Sequence, residues 1–306
     1  MQGIEEEYIS LVTDFGFTRI FGTASNKDLL ISFLNSLFDG RKVIRDLKYS
    51  NSEHVGDVYA KRKAVFDVYC ESEDGEKFIV EMQNASQRFF KERSVFYSTF
   101  PIREQTPKTD NWDYRQNAVY TVALLYYDMK DYDMMDDAFD ENAISHQVQL
   151  CNTATHRVFY DKLEFIFVEV TKFNKTEDEL VTLYDKWLYA LKNLDQLTER
   201  PAALRDKIFD RLFQVAEIAK FTPLELKEFE DSLKVYRDLK NSLDYAEEKG
   251  YMKGLEEARA ERLAESRVKG RAEGIVMIAK KLKSMGVETA VIQKATGLTA
   301  KEIEAL

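Results

Sequence analysis

The chain has 306 residues, 44% of them hydrophobic and 32% charged, with a formal net charge of −10. That balance describes a folded, water-facing protein with length for a substantial core, and only 12 Gly and 4 Pro exclude a low-complexity chain. The acidic balance excludes broad electrostatic coating of nucleic acid but permits a local basic rim. No apolar run reaches the roughly 18 residues of a membrane span, and MQGIEEEYIS lacks a basic start and an apolar stretch, so a cytoplasmic, membrane-free protein is expected.

Residues 8–38 have the spacing of two helices. Tyr8, Leu11, Val12, Phe15 and Ile20-Phe21 face inward in the first, Gly22 breaks the run, and Ser25 or Asn26 caps a second with Leu29, Leu30, Phe33, Leu34 and Leu37 inward. Asp14 is the one acid in this apolar stretch. Residues 43–49 predict a strand, followed by a polar connection that ends in the basic triplet Lys61-Arg62-Lys63.

Residues 64–83, AVFDVYCESEDGEKFIVEMQ, predict a β-hairpin turning through Glu73-Asp74-Gly75, with Gly at the left-handed position. With Ser72 and Glu76 flanking that loop, Asp67 falls opposite Glu81, and Gln83 shares their face. Alternating polar positions on a strand commonly mark a solvated face. The apolar run around Glu81 argues instead for a buried carboxylate that needs a partner, and a divalent cation satisfies two facing carboxylates.

Residues 85–103 predict a helix with Phe89, Phe90, Val95, Phe96 and Phe100 as apolar positions and Pro101 near its end. Residues 119–128 and 163–171 predict strands covered on both faces, 128–141 an exposed acidic loop, and 148–160 an added hairpin turning at 152–155. From 177 to 246 the spacing is helical, with Thr222 capping a helix that starts at Pro223. The charged stretch 246–283, with Gly250, Gly254, Gly270 and Gly274, reads as a long solvated or self-associating helix. Residues 291–303 are similar to half of a helix-turn-helix, an arrangement that is also common without DNA. Cys70 and Cys151 are expected as small core residues, and His54, His146 and His156 are too scattered for a zinc motif.

Asp67 followed by Glu81-Met82-Gln83 resembles the active-site core of the PD-(D/E)XK nuclease superfamily in a Glu-x-Gln variant. Asp14-Phe15-Gly16-Phe17 with Ile20-Phe21-Gly22, Asn26-Lys27-Asp28-Leu29-Leu30, Phe33-Leu34-Asn35, Val80-Glu81-Met82-Gln83, and Arg93 with Tyr97 resemble, more narrowly, the Rpn family of recombination-promoting nucleases and transposases. The resemblance implies a restriction-endonuclease-like α/β fold, a mixed sheet flanked by helices, with a helical C-terminal extension. The division expected is a nuclease-like core over 1–175, a helical extension over 176–246, and a long-helix and helix-turn-helix-like tail over 247–306.

The same resemblance implies a metal-dependent DNA endonuclease. Asp67 and Glu81 hold Mg2+, or Mn2+ in its place, with the Met82 carbonyl, and Gln83 orients water or phosphate where Lys is usual. Asp14, Arg93 and Gln105 are further site candidates, and Lys61, Arg62 and Lys63 a DNA phosphate rim. The expected partners are DNA and, through the C-terminal helices, a second copy of the chain. The absent Lys leaves a second reading open, a catalytically weak or inactive DNA-binding or assembly module.

Overall fold

The computed structural model describes residues 7–50, 53–55, 63–106, 113–129 and 139–306. In chain order its elements are helices α1 (Asp14–Phe21) and α2 (Lys27–Phe38), and strands β1 (Leu47–Tyr49), β2 (Glu53–Val55), β3 (Lys63–Val65), β4 (Val68–Ser72) and β5 (Lys77–Gln83). Helix α3 (Phe90–Glu104) and strands β6 (Val119–Leu125), β7 (Ser145–Cys151) and β8 (Val158–Glu169) follow. Helices α4 (Leu183–Asn193), α5 (Lys207–Ala216), α6 (Pro223–Ser284), α7 (Thr289–Thr296) and α8 (Ala300–Glu304) complete the chain. They form two compact units, Met1–Tyr236 and Arg237–Leu306.

The first unit is built on a six-stranded sheet in the order β1-β4-β5-β6-β8-β7. β5, β6 and β8 run parallel, and β1, β4 and β7 pair antiparallel to their neighbours. This is the mixed α/β sheet with flanking helices that the resemblance implies. The β4–β5 turn closes through Ser72 N–H to the Glu76 carbonyl (2.9 Å) and Gly75 N–H to the Ser72 carbonyl (3.0 Å). Gly75 has φ +78°, a conformation glycine takes without strain, and a Cβ there would lie 2.5 Å from the Asn117 side-chain nitrogen, which would have to shift. The turn fixes the register Val68↔Val80, Tyr69↔Ile79 and Cys70↔Phe78. Extended by one residue, it sets Asp67 opposite Glu81.

Side-chain alternation sends β5 to two different cores. Phe78, Val80 and Met82 join the main cluster with α1, α2, α4 and α5, including the fully buried Phe33, Trp187 and Phe209. Ile79 faces the other way, onto Phe66, Tyr69 and the Tyr97 and Phe100 rings of α3. Glu81 and Gln83 share that second face. Beside it Ala123, Leu125, Phe165 and Phe167 pack on Phe90.

Several expectations are revised. Helices α4 and α5, with Phe229 and Leu233 of α6, belong to the same core as the sheet rather than to an extension of their own. The hairpin expected at 148–160 is present as β7 and β8, and its second strand runs on unbroken into the strand expected at 163–171. Cys151 is exposed while Cys70 is buried. On α3, Phe89, Val95 and Phe96 are exposed, and the sheet receives Phe90, Ser94, Ser98 and Pro101. The small serines let the helix backbone lie close to the strands, a role that large side chains cannot take.

In the second unit, Ala279 of α6 packs with Ile292 of α7 and Ile303 of α8, bordered by Leu282, Val287, Leu298 and Leu306. Gly297, at φ +77°, ends α7, and Thr299 caps α8 with Glu302 in a reciprocal capping box. Helix α6 runs unbroken from Pro223 to Ser284, uniting the third helix and the charged stretch of the sequence analysis. Among the described residues no helix is long and apolar enough to cross a membrane.

Candidate active site

The site lies where β4 stops short of β5. The chain bends at Asp67, and the Asp67 Oδ2 accepts the backbone N–H of Met82 at 2.8 Å, taking the position a ladder carbonyl would otherwise fill. In a strand the N–H and C=O of one residue point to the same edge. The Met82 carbonyl is therefore directed toward Asp67 as well.

Glu81 is buried, and its Oε2 accepts a hydrogen bond from the Gln83 amide at 3.3 Å. Its Oε1 is buried with no hydrogen-bond partner among the described residues. Burial pushes the Glu81 carboxyl up to about 8, reinforced by the Asp67 charge and opposed by Arg93 and the Asp67 backbone N–H. Asp67 is pushed up to about 6 by burial and by the Asp14 charge, while the Met82 N–H and Arg93 pull it down. Two carboxyl groups thus converge in a buried site where burial and their mutual charge favour the protonated forms.

Among the described residues, Arg93, one turn into α3, brings positive charge to both carboxyls. Its guanidinium donates to the side-chain oxygens of Gln83 and Gln87 and lies over the Phe90 and Tyr97 rings, at 5.8 and 5.7 Å from their centroids. The Tyr97 hydroxyl is raised by burial and then by the Glu81 charge, which places it beside the carboxyls. Asp14, exposed in the first turn of α1, is close enough for its charge to act on Asp67.

The sequence reading missed Asn84. Its side-chain N–H donates to the Val12 carbonyl and ties the end of β5 to the turn that leads into α1 and Asp14. The signal was available, since Asn84 directly follows the Glu-x-Gln motif at the end of an apolar strand. Gly16 completes this junction, because a Cβ there would meet the Ser10 carbonyl at 2.1 Å.

A second buried polar cluster was also missed. The pairs Gln83↔Leu125 and Leu125↔Glu169 put Gln83 and Glu169 at one level of the parallel strands, about 10 Å apart. Glu169 is fully buried and accepts from the Met129 N–H (2.8 Å) and Lys172 (2.9 Å), with the His146 ring at 2.7 Å. With three partners it is satisfied where it stands.

Other sequence candidates fall elsewhere. Gln105 sits at the opposite end of the sheet, where its side chain bonds the backbone of Asn117 just before β6 (2.7 and 3.4 Å), so it is a strut for that loop. Lys61 and Arg62 lie outside the described residues, and of Lys63 only the backbone in β3 is described.

The donor set fits a hard divalent cation, with two carboxyl groups, one unpartnered oxygen and a backbone carbonyl on the same side. Among the described residues no three His, Cys, Asp or Glu side chains cluster as a metal site, so two carboxylates have to be completed by the carbonyl, water or substrate. No curated protein and no solved structure matches the chain significantly. The family profile described as PD-(D/E)XK nuclease family transposase matches residues 11–246, and the chain belongs to that family.

Proposed function

We propose that this protein is a metal-dependent DNA endonuclease of the recombination-promoting, transposase-like type. The observation that carries the reading is the pair of buried carboxyl groups, Asp67 and Glu81, raised together beside an unpartnered Glu81 oxygen. Such a pair is costly to the fold and is relieved by a divalent cation. Asp67, Glu81 and the Met82 carbonyl would hold Mg2+, with Mn2+ an acceptable substitute. When bound, the cation polarises the scissile phosphate and lowers the pKa of the attacking water.

The remaining roles fall to the chain. Gln83 is held from both sides, by Arg93 on its oxygen and Glu81 on its amide nitrogen, and so presents a fixed amide to orient water or phosphate. Arg93 provides beside Gln83 the positive charge that Lys provides in most members of the superfamily. Asp14 adds an acid on the opposite helix, positioned through the Asn84–Val12 tie.

The test is cleavage of plasmid and single-stranded DNA with Mg2+, Mn2+ or chelator, comparing wild type with Asp67→Ala and Glu81→Gln. Metal-dependent cutting that disappears in both variants supports the assignment. No cutting by folded wild type on either substrate replaces it with a DNA-binding or assembly module that has kept the nuclease fold.

A further inference from the structure

Phe89 stands out in backbone and in exposure. It precedes α3 in the left-handed region, at φ +65° and ψ +33°, a conformation that is a strain for a bulky side chain and concentrates at functional sites. Its carbonyl accepts the Arg93 N–H at 2.9 Å, so it lies one turn from the guanidinium that holds Gln83. Yet its ring is 55% exposed, with the Arg88 guanidinium 5.0 Å from the ring centroid. Further along the same helix Phe96 is 42% exposed.

Neither ring is in the buried clusters by which α3 meets the sheet, through Phe90, Tyr97 and Phe100, although one edge of Phe96 packs on the Phe100 ring at 5.2 Å. The charge around them is basic: Arg88, Lys91 and Arg93 outnumber Glu92 between positions 88 and 93. Solvent-facing aromatic rings among cations, continuous with a phosphodiester-cutting site, have the chemistry that binds unstacked bases and their phosphates.

We propose that Phe89, extended by Phe96, is a stacking platform for an unpaired nucleobase, so that the site engages single-stranded DNA in preference to intact duplex. This rests on the reading of the site as one that acts on DNA. In an intact duplex the base faces are covered by their neighbours, so the platform discriminates by strandedness and tolerates any sequence.

The experiment measures binding in chelator, where no cutting occurs, by fluorescence anisotropy of a labelled oligonucleotide offered as single strand and as duplex. Phe89→Leu, which keeps an apolar side chain without a π-face, is expected to lower single-strand affinity about tenfold and duplex affinity far less. Phe89→Trp is expected to keep the preference. Phe89→Gly, free of the left-handed strain, repeats the loss and separates it from any effect on folding. Unchanged single-strand affinity in Phe89→Leu and Phe89→Gly, or equal losses on both substrates, overturns the proposal. Cutting is assayed separately with Mg2+. Its absence in wild type removes the nuclease reading alone, and unchanged binding in the variants removes the stacking platform alone.

Discussion

The Asp67 carboxylate accepts the Met82 N–H at 2.8 Å, so one residue both closes the edge of β5 and offers an oxygen to the site. Its partner Glu81 also bonds within the site, through the Gln83 amide and the Asp67 backbone N–H, but keeps one buried oxygen, Oε1, with no partner among the described residues. This asymmetry shapes how the two acids respond to mutation and to pH.

Stability should depend on pH through this pair with a definite sign. Both folded-state pKa values are raised above the ordinary carboxylate range, to about 6 for Asp67 and about 8 for Glu81. The folded state therefore retains protons that the unfolded chain gives up, and this contribution to stability is lost as pH rises through those values. A divalent cation displaces the protons and compensates the charge. The stabilisation by Mg2+ should be small near pH 5 and grow toward about pH 9, and in Glu81→Gln the growth should largely vanish. Thermal melts across that range, with and without Mg2+, check it; a pH-independent metal effect would contradict it.

Restoring the superfamily's usual lysine should not help. Gln83→Lys sets an ammonium against the Arg93 guanidinium that Gln83 now accepts from, and like charges at contact are unfavourable. Cutting is expected to fall about tenfold or more, and adding Arg93→Ala should recover part of it. Single-turnover rates of the single and double variants measure that coupling.

Gly75→Val tests whether turn geometry sets the site. The position demands φ +78°, and a Cβ would displace the Asn117 side chain, so a β-branched residue should cost about 2–3 kcal/mol and loosen the β4–β5 register. Denaturant melts should show the loss, and metal affinity should fall with it. Intact metal affinity in a destabilised variant would separate the turn from the site.

Glu169→Ala should behave as a fold mutation. It leaves the Met129 N–H and Lys172 without their buried acceptor, at a cost of about 3 kcal/mol. Metal affinity per folded molecule should be nearly unchanged, since Glu169 lies two strands from Glu81. Calorimetric Mg2+ titration alongside a melt distinguishes the two effects.

The hairpin was legible because its loop chemistry admits one register, and that register alone aligns Asp67 with Glu81. The bond from Asp67 to Met82 was not, since it depends on β4 ending at Val68, a matter of tertiary packing. The buried side of α3 was misread because large apolar residues were counted as inward. Phe89, Val95 and Phe96 face solvent, and Ser94 and Ser98 face the strands. Gln105 looked like a site residue by its place after the core strands, but β5 runs the other end of its length toward the site. The sequence reading placed a helix starting at Pro223 and a long helix over 246–283 with its four glycines, and did not join them into α6. Each glycine costs about 1 kcal/mol, too little to interrupt 62 otherwise helix-favouring residues.

The double duty of Asp67 bears on how such a site decays. Where the proposed cutting is no longer needed, loss of Glu81 removes a buried, half-satisfied acid and should raise stability. Surrendering Asp67 strands the Met82 amide at an open sheet edge. Copies of this chain relieved of the proposed chemistry should accordingly shed the glutamate first and keep the aspartate as a relic of architecture.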